Sequence, residues 1–273
     1  MAISGYLLAT FLIAKRISAH DRNAPEIEHH ETSVNAIFVI ACFSWVAHLV
    51  YANAISHTGS TINFSLSSMT CLVSLVIVII FLLGSLAMPI RTLGVLVFPL
   101  TATSLLFSFL WGYEVGSQNP ELNTQGLAFA SHIMVSLLSY ALITIAAIQS
   151  LLFMYQERLI KKRTASTMLL ALPPLQTMEQ LLFRLVTVGF ALLSLTLLSG
   201  IIFSQEIFGQ PFTFEHHTII ASLSWLVFAI LLFKRFNSGL RGSPAAIWTL
   251  AGFLLMQLGY FGTKIVTESL NIQ

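Results

Sequence analysis

Apolar residues along the chain gather into eight stretches, at 2–17, 34–54, 64–87, 91–111, 127–155, 180–203, 218–233 and 245–267, separated by short polar connections. Crossing roughly 30 Å of hydrocarbon takes about 20 predominantly apolar residues. Within a bilayer an open strand cannot satisfy its backbone, so the stretches read as helices. The pattern predicts an all-α, polytopic transmembrane helical bundle of about eight spans. The first stretch is the shortest, with an apolar run that stops at Ala14 and needs Lys15 and Arg16 to snorkel. Positive charge follows this run instead of preceding it, so it reads as a span and not as a cleaved signal peptide.

The polar pattern sets an orientation. The first, third, fifth and seventh connections hold Lys15, Arg16 and Arg22, then Arg91, then Arg158, Lys161, Lys162 and Arg163, then Lys234, Arg235 and Arg241. Arg184 lies just inside the sixth span on the same side, the opposite connections hold no Lys or Arg, and only Lys264 in the tail breaks the rule. The positive-inside bias therefore places both termini outside the cytoplasm. Composition agrees: 56% of residues are hydrophobic, 9% are charged, and mean hydropathy is +0.84. The net charge of +2 comes from the cytoplasmic loops and reports topology, not affinity for nucleic acid.

No carboxylate falls mid-span: Asp21, Glu26, Glu28 and Glu31 lie in the first connection, Glu157 and Glu179 in the fifth, and the remainder in outer loops or the tail. Ion-coupled carriers usually place an ionisable group at bilayer depth, so a small-solute or metal transporter is disfavoured. Cys42 and Cys71 stand singly, without CxxC or CxxCH, which excludes thiol exchange machinery and a c-type cytochrome. Walker loops, a dinucleotide-binding glycine fingerprint, HExxH and GxSxG are missing, and the chain is expected to be no enzyme.

Histidines carry the remaining chemistry. His20, His29 and His30 fall in the first cytoplasmic connection and read as a solvated loop, whereas His48, His57, His132, His216 and His217 collect on or near the outer side. Helical spacing puts His132, Ser136, Ser139 and Tyr140 on one face, a polar stripe that should look into the bundle. Interhelical hydrogen bonding accounts for the serines alone. Ser44, His48 and Tyr51 form a weaker version on the second span. His216 and His217 are successive residues about 100° apart on a helix, so at most one can share a site with His132; Glu215 is placed to orient the other. Either a transition metal or haem answers to such histidines. Haem needs one or two axial imidazoles and an apolar slot, and Phe208, Phe212 and Phe214 lie beside His216.

The order of several short motifs over residues 127–273 resembles the cytochrome c assembly family, the CcsA-, ResC- and CcmC-type haem handlers, and most of all its YpjD-type inner membrane proteins. The motifs are His132 with Ser136-Leu137-Leu138-Ser139-Tyr140, then Ser224-Trp225-Leu226, Gly239-Leu240-Arg241-Gly242 and Tyr260-Phe261-Gly262. The chain divides accordingly into helices one to four (1–126) and assembly-like helices five to eight (127–273). By this resemblance His132 stands where the family places an external axial ligand to haem iron. His216, His217, His48 and Phe214 are further candidates for the cofactor site. The tryptophan-rich external segment of the family is replaced by Phe214-Glu215-His216-His217-Thr218, a late histidine of span seven by Phe233, and the histidine after span eight by Asn271 or a neighbour. The resemblance implies a multi-pass protein of the bacterial inner (plasma) membrane that holds haem near the outer face. Its partners would be the lipid bilayer and an apocytochrome or another integral membrane protein. The alternative is a non-enzymatic partner or regulatory subunit that has lost haem chemistry.

Overall fold

The computed structural model describes residues 1–19, 28–58, 61–62, 65–88, 90–111, 127–163, 172–205, 216–263 and 265. Eight long helices follow the eight apolar stretches: α1 Ala2–Ala19, α2 Glu28–Ser56, α3 Leu66–Ala87, α4 Gly94–Trp111, α5 Leu127–Lys161, α6 Leu175–Ile202, α7 His216–Ser238 and α8 Ser243–Gln257. A 3₁₀ turn, Arg91–Leu93, leads into α4, and a π turn, Leu258–Gly262, continues α8. His57–Thr58 and Thr61–Ile62 form a two-residue antiparallel ladder after α2.

Seven of these helical segments are long and apolar enough to cross a membrane. The shorter α1 packs beside them, with Tyr6 and Ala9 fully buried. The protein is therefore a multi-pass membrane protein.

Boundaries differ from the sequence pattern where polar residues continue a helix. The backbone of α2 is helical from Glu28, so His29 and His30 are helical and not loop, and Glu28 and Glu31 sit where acids favour a helix start. At 35 residues, α5 is about 52 Å long at 1.5 Å per residue. It outruns the hydrocarbon and ends with Arg158 and Lys161 in its last turn, where cations suit the helix dipole. Ser65 caps α3 by accepting from the Ser68 N–H, and Pro244 starts α8, where a missing N–H does no harm.

The helices pack as two rings of four. In the first, α1 through α4 pack in sequence and α4 closes against α1; in the second, α5 through α8 do the same and α8 closes against α5. The rings meet mainly through α5, which touches α3, α4 and the 3₁₀ turn. Phe98 stacks on Tyr6 at 5.7 Å and takes Phe81 edge-on at 5.4 Å in the first core. In the second, α7 and α8 approach so closely that a Cβ on Gly252 would lie 2.7 Å from the Phe228 ring. Phe43, Phe109, Phe233 and Phe236 point outward, as lipid-facing side chains do.

Every described lysine and arginine outside α1 falls at one end of the second ring or at the start of α4. There Glu179 pairs with Arg235 at 3.6 Å and accepts from the Gly242 N–H at 3.1 Å, while Glu157 pairs with Lys161 at 2.9 Å and accepts from Ser243. Gly239 and Gly242 have φ of +65° and +70°, so this turn needs glycine at both positions. The Gly239-Leu240-Arg241-Gly242 motif thus clamps α7 and α8 onto α5 and α6.

Candidate functional site

His132 lies at the opposite end, in the second turn of α5, half-buried against α6. Its Nδ1 is 2.8 Å from the Ser199 hydroxyl. Ser199 in turn donates to the Thr196 carbonyl of its own helix at 3.0 Å. The Ser199 oxygen thus lies within hydrogen-bond distance of both the His132 imidazole and the Thr196 carbonyl and ties the ring to α6. A neutral imidazole held through one ring nitrogen is the form in which histidine ligates iron. Gly200 flanks the ring, and a Cβ there would be 3.4 Å from Cε1.

The stripe below His132 faces the bundle, as its spacing predicts. Ser136 returns its hydroxyl to the His132 carbonyl at 2.6 Å. Ser139, 1% exposed, crosses to the Gly189 carbonyl of α6 at 3.0 Å. Tyr140 meets Tyr260 and Phe261 edge-on, with ring centres 6.3 and 5.7 Å away, and its hydroxyl is buried without a hydrogen bond. The Gln257 side-chain oxygen, one turn before Phe261, is also buried and unpaired. On the other side of α6, Trp225 donates to Ser194 at 2.8 Å and stacks on Phe190 at 5.4 Å. Ser224 ties α7 to the Gly252 carbonyl of α8. Three of the four sequence motifs therefore line one helical ring, and the fourth is the turn that clamps its far end.

His48 is in the other ring. It is 0% exposed, with Nδ1 3.3 Å from the Tyr6 hydroxyl and Nε2 3.2 Å from the Cys71 carbonyl and 3.4 Å from its sulfur. The structure does not bring it to His132. His217 is exposed in the first turn of α7; the backbone of His216 begins that helix, and its side chain lies outside the described residues, as does Phe214 entirely. Phe233 is 65% exposed and points away from the ring interior. Asn271 lies outside the described residues.

Two residues of the second ring escaped the pattern reading. Gln149 donates to the Met178 carbonyl at 3.0 Å and Gln156 to the Pro173 carbonyl at 2.9 Å, so both hold the start of α6 against α5. Their signal was a spacing of seven on an apolar helix, which places them on one face.

This ring can present an imidazole oriented by Ser199 at its mouth, above an aromatic interior that leaves a phenol and a carboxamide oxygen unpaired. That donor set suits haem, which asks for an axial imidazole, an apolar surround and partners for a few polar substituents. Among the described residues no group of three or more His, Cys, Asp or Glu side chains is placed to hold a bare metal ion.

Comparison with known proteins points the same way. Residues 35–271 match the family described as Cytochrome C assembly protein. The motif resemblance rests on 127–273, and this match extends it over α2, α3 and α4. An uncharacterised 28.8 kDa protein of Azospirillum brasilense is 33% identical over 145 residues, 53% of this chain and 54% of that protein. The inner membrane protein YpjD of Escherichia coli is 30% identical over 141 residues, 51% of this chain and 52% of YpjD. The cytochrome c biogenesis protein CcsA of Chlamydomonas reinhardtii is 30% identical over 140 residues, 51% of this chain and 38% of CcsA. The chain spans about half the length, or less, of the curated relatives it matches. No solved structure matches.

Proposed function

This chain belongs to the cytochrome c assembly protein family, and from that premise we propose that it is a non-enzymatic haem-handling protein of a bacterial inner membrane. In this reading His132 would hold the haem iron through its imidazole. The observation that carries this reading is the relay from His132 through Ser199 to Thr196, because a ligating histidine needs its other nitrogen held. Ser199 holds the ring plane, and Gly200 leaves the imidazole edge uncrowded. Tyr140 offers a hydroxyl that the protein leaves unused, a donor for a polar substituent of a molecule in the ring. Bound haem would supply an iron centre that exchanges axial ligands. His216 or His217 provides the second ligand in this reading, since α7 packs against the helix that bears Ser199. In this reading the His132 end and both termini lie outside the cytoplasm, which the one-sided Lys and Arg distribution supports, and an apocytochrome there would be the recipient.

A second reading, a partner or regulatory subunit of another membrane protein, is favoured by the tryptophan-free segment at 214–218 and by the outward-facing Phe233. Purification separates the two. The full chain, expressed with a haem supply and washed in detergent, should keep a Soret band. His132→Gly should lose or shift that band, and added imidazole should restore part of it. A colourless wild-type protein under haem excess would overturn the haem reading in favour of the subunit reading.

A further inference from the structure

Because α5 is the main bridge between the rings, α6 stands beside the first ring with a groove left between them. The groove encloses about 80 Å³ and lies at the end that carries the arginines. Leu93, Leu152 and Leu181 make its wall. Thr177, Gln180 and Arg184 line it from α6 at spacings of three and four, so a hydroxyl, a carboxamide and a guanidinium form one polar stripe on that helix. Arg184 is the only ionisable residue among those lining the groove, and no carboxylate is among them. Thr92, on the far wall, follows Arg91, whose Nε is held by the Ser85 carbonyl at 3.4 Å. Arg184 on the groove and Arg91 next to the lining Thr92 are both exposed. Gln149 on the floor already donates to Met178, so the polarity that the α6 stripe offers comes from Arg184, Thr177 and Gln180.

An apolar wall, a cationic rim and a position at a helix end in the interfacial region suit one chemical class, an amphiphile with an anionic phosphate head. We propose that this groove is a binding site for an anionic phospholipid of the adjoining leaflet, its phosphate at Arg184 and Thr177 and its acyl chains against Leu152 and Leu181. Basic pockets between transmembrane helices recognise such headgroups, with a gain near fivefold in affinity for each charge close to the surface. A lipid here would fill the seam that α5 bridges and couple the two rings. The proposal is independent of haem.

The full chain, released from vesicles of equal phosphatidylglycerol and phosphatidylcholine, is weighed by native mass spectrometry. Wild type should retain phosphatidylglycerol in preference by about fivefold. Arg184→Gln should abolish that preference, and Thr177→Trp, which fills the groove from an exposed position, should reduce retained lipid of both kinds. Arg241→Gln, a cation of the same end that does not line the groove, should keep the wild-type preference. Equal retention of the two lipids by wild type, or unchanged retention in either groove variant, overturns the proposal. So does a thermal shift given by inorganic phosphate alone that matches the one given by phosphatidylglycerol, which would make the site a phosphate site and not a lipid site.

Discussion

Replacing Ser199 by alanine tests the site at its most specific point. The hydroxyl lies 2.8 Å from His132 Nδ1 and donates to the Thr196 carbonyl at 3.0 Å, so the change removes a side-chain partner that holds the imidazole. Losing one such hydrogen bond costs about 0.5–1.5 kcal/mol of stability, small enough for the helical bundle to survive. Ligation should suffer more, because outer-shell partners of a ligating histidine are typically worth 10–100-fold in affinity, or about 1.4–2.8 kcal/mol. The assay is titration of haemin into the detergent-solubilised protein, followed by the Soret band. Ser199→Thr retains the hydroxyl and should keep most of the affinity. Ser136→Ala is the control: its hydroxyl goes to a backbone carbonyl of its own helix and does not touch the imidazole. If Ser199→Ala binds as tightly as wild type while His132→Gly does not bind, the relay is not what prepares the ligand. If Ser136→Ala weakens binding as much as Ser199→Ala does, the effect comes from a disturbed helix.

Three further outcomes are expected. Ser139→Leu with Tyr140→Leu should lower the detergent melting temperature more than either change alone, since the first removes an interhelical hydrogen bond to Gly189, of a kind worth about 0.6–2 kcal/mol in membranes, and the second removes the edge-on packing on Tyr260 and Phe261; a double variant as stable as wild type would mean the stripe does not hold α5 in the bundle. Gly242→Ala puts a side chain at φ +70° and ψ −154°, a region open essentially to glycine, and should destabilise the α7–α8 turn by about 1–3 kcal/mol. Unchanged thermal unfolding would show that the turn relaxes without cost. Reporters fused after Leu122 or Gln210 should read extracytoplasmic and those after Lys162 or Ser238 cytoplasmic, and a cytoplasmic signal at Leu122 would move His132 to the wrong side for the proposed role.

The helices were legible because a membrane leaves the chain few options: long apolar runs must be helical, and polar residues within them must look inward. The stripe from His132 to Tyr140 follows directly, as Ser139 on the Gly189 carbonyl confirms. What hydropathy could not reveal was which helices are neighbours. Ser199 sits 67 residues from His132 in a stretch of ordinary apolar sequence, and only the packing of α6 on α5 makes it a partner. Glu157 and Glu179 read as loop acids, yet both are half-buried clamps for a turn that follows 86 and 63 residues later. Helix ends were misplaced where charge continued the helix, at Glu28 and at Lys161, because hydropathy marks the bilayer boundary and not the end of hydrogen bonding.

His48 and His132 show why a pattern of residues does not by itself make a site. Each stands on a polar face of an apolar helix with a serine and a tyrosine at helical spacing. In the first ring the closure of α1 on α2 and of α2 on α3 delivers a phenol to one nitrogen of His48 and a backbone carbonyl to the other. Both nitrogens are engaged and no surface remains, so this imidazole acts as a tie among three helices. In the second ring His132 is held by Ser199 and is only half-buried at the mouth of the bundle. An imidazole near the surface can be reached by an incoming molecule, whereas one enclosed at 0% exposure, as His48 is, cannot. The difference is made by depth. A change that buried His132 as fully as His48 would turn the candidate ligand into another structural tie.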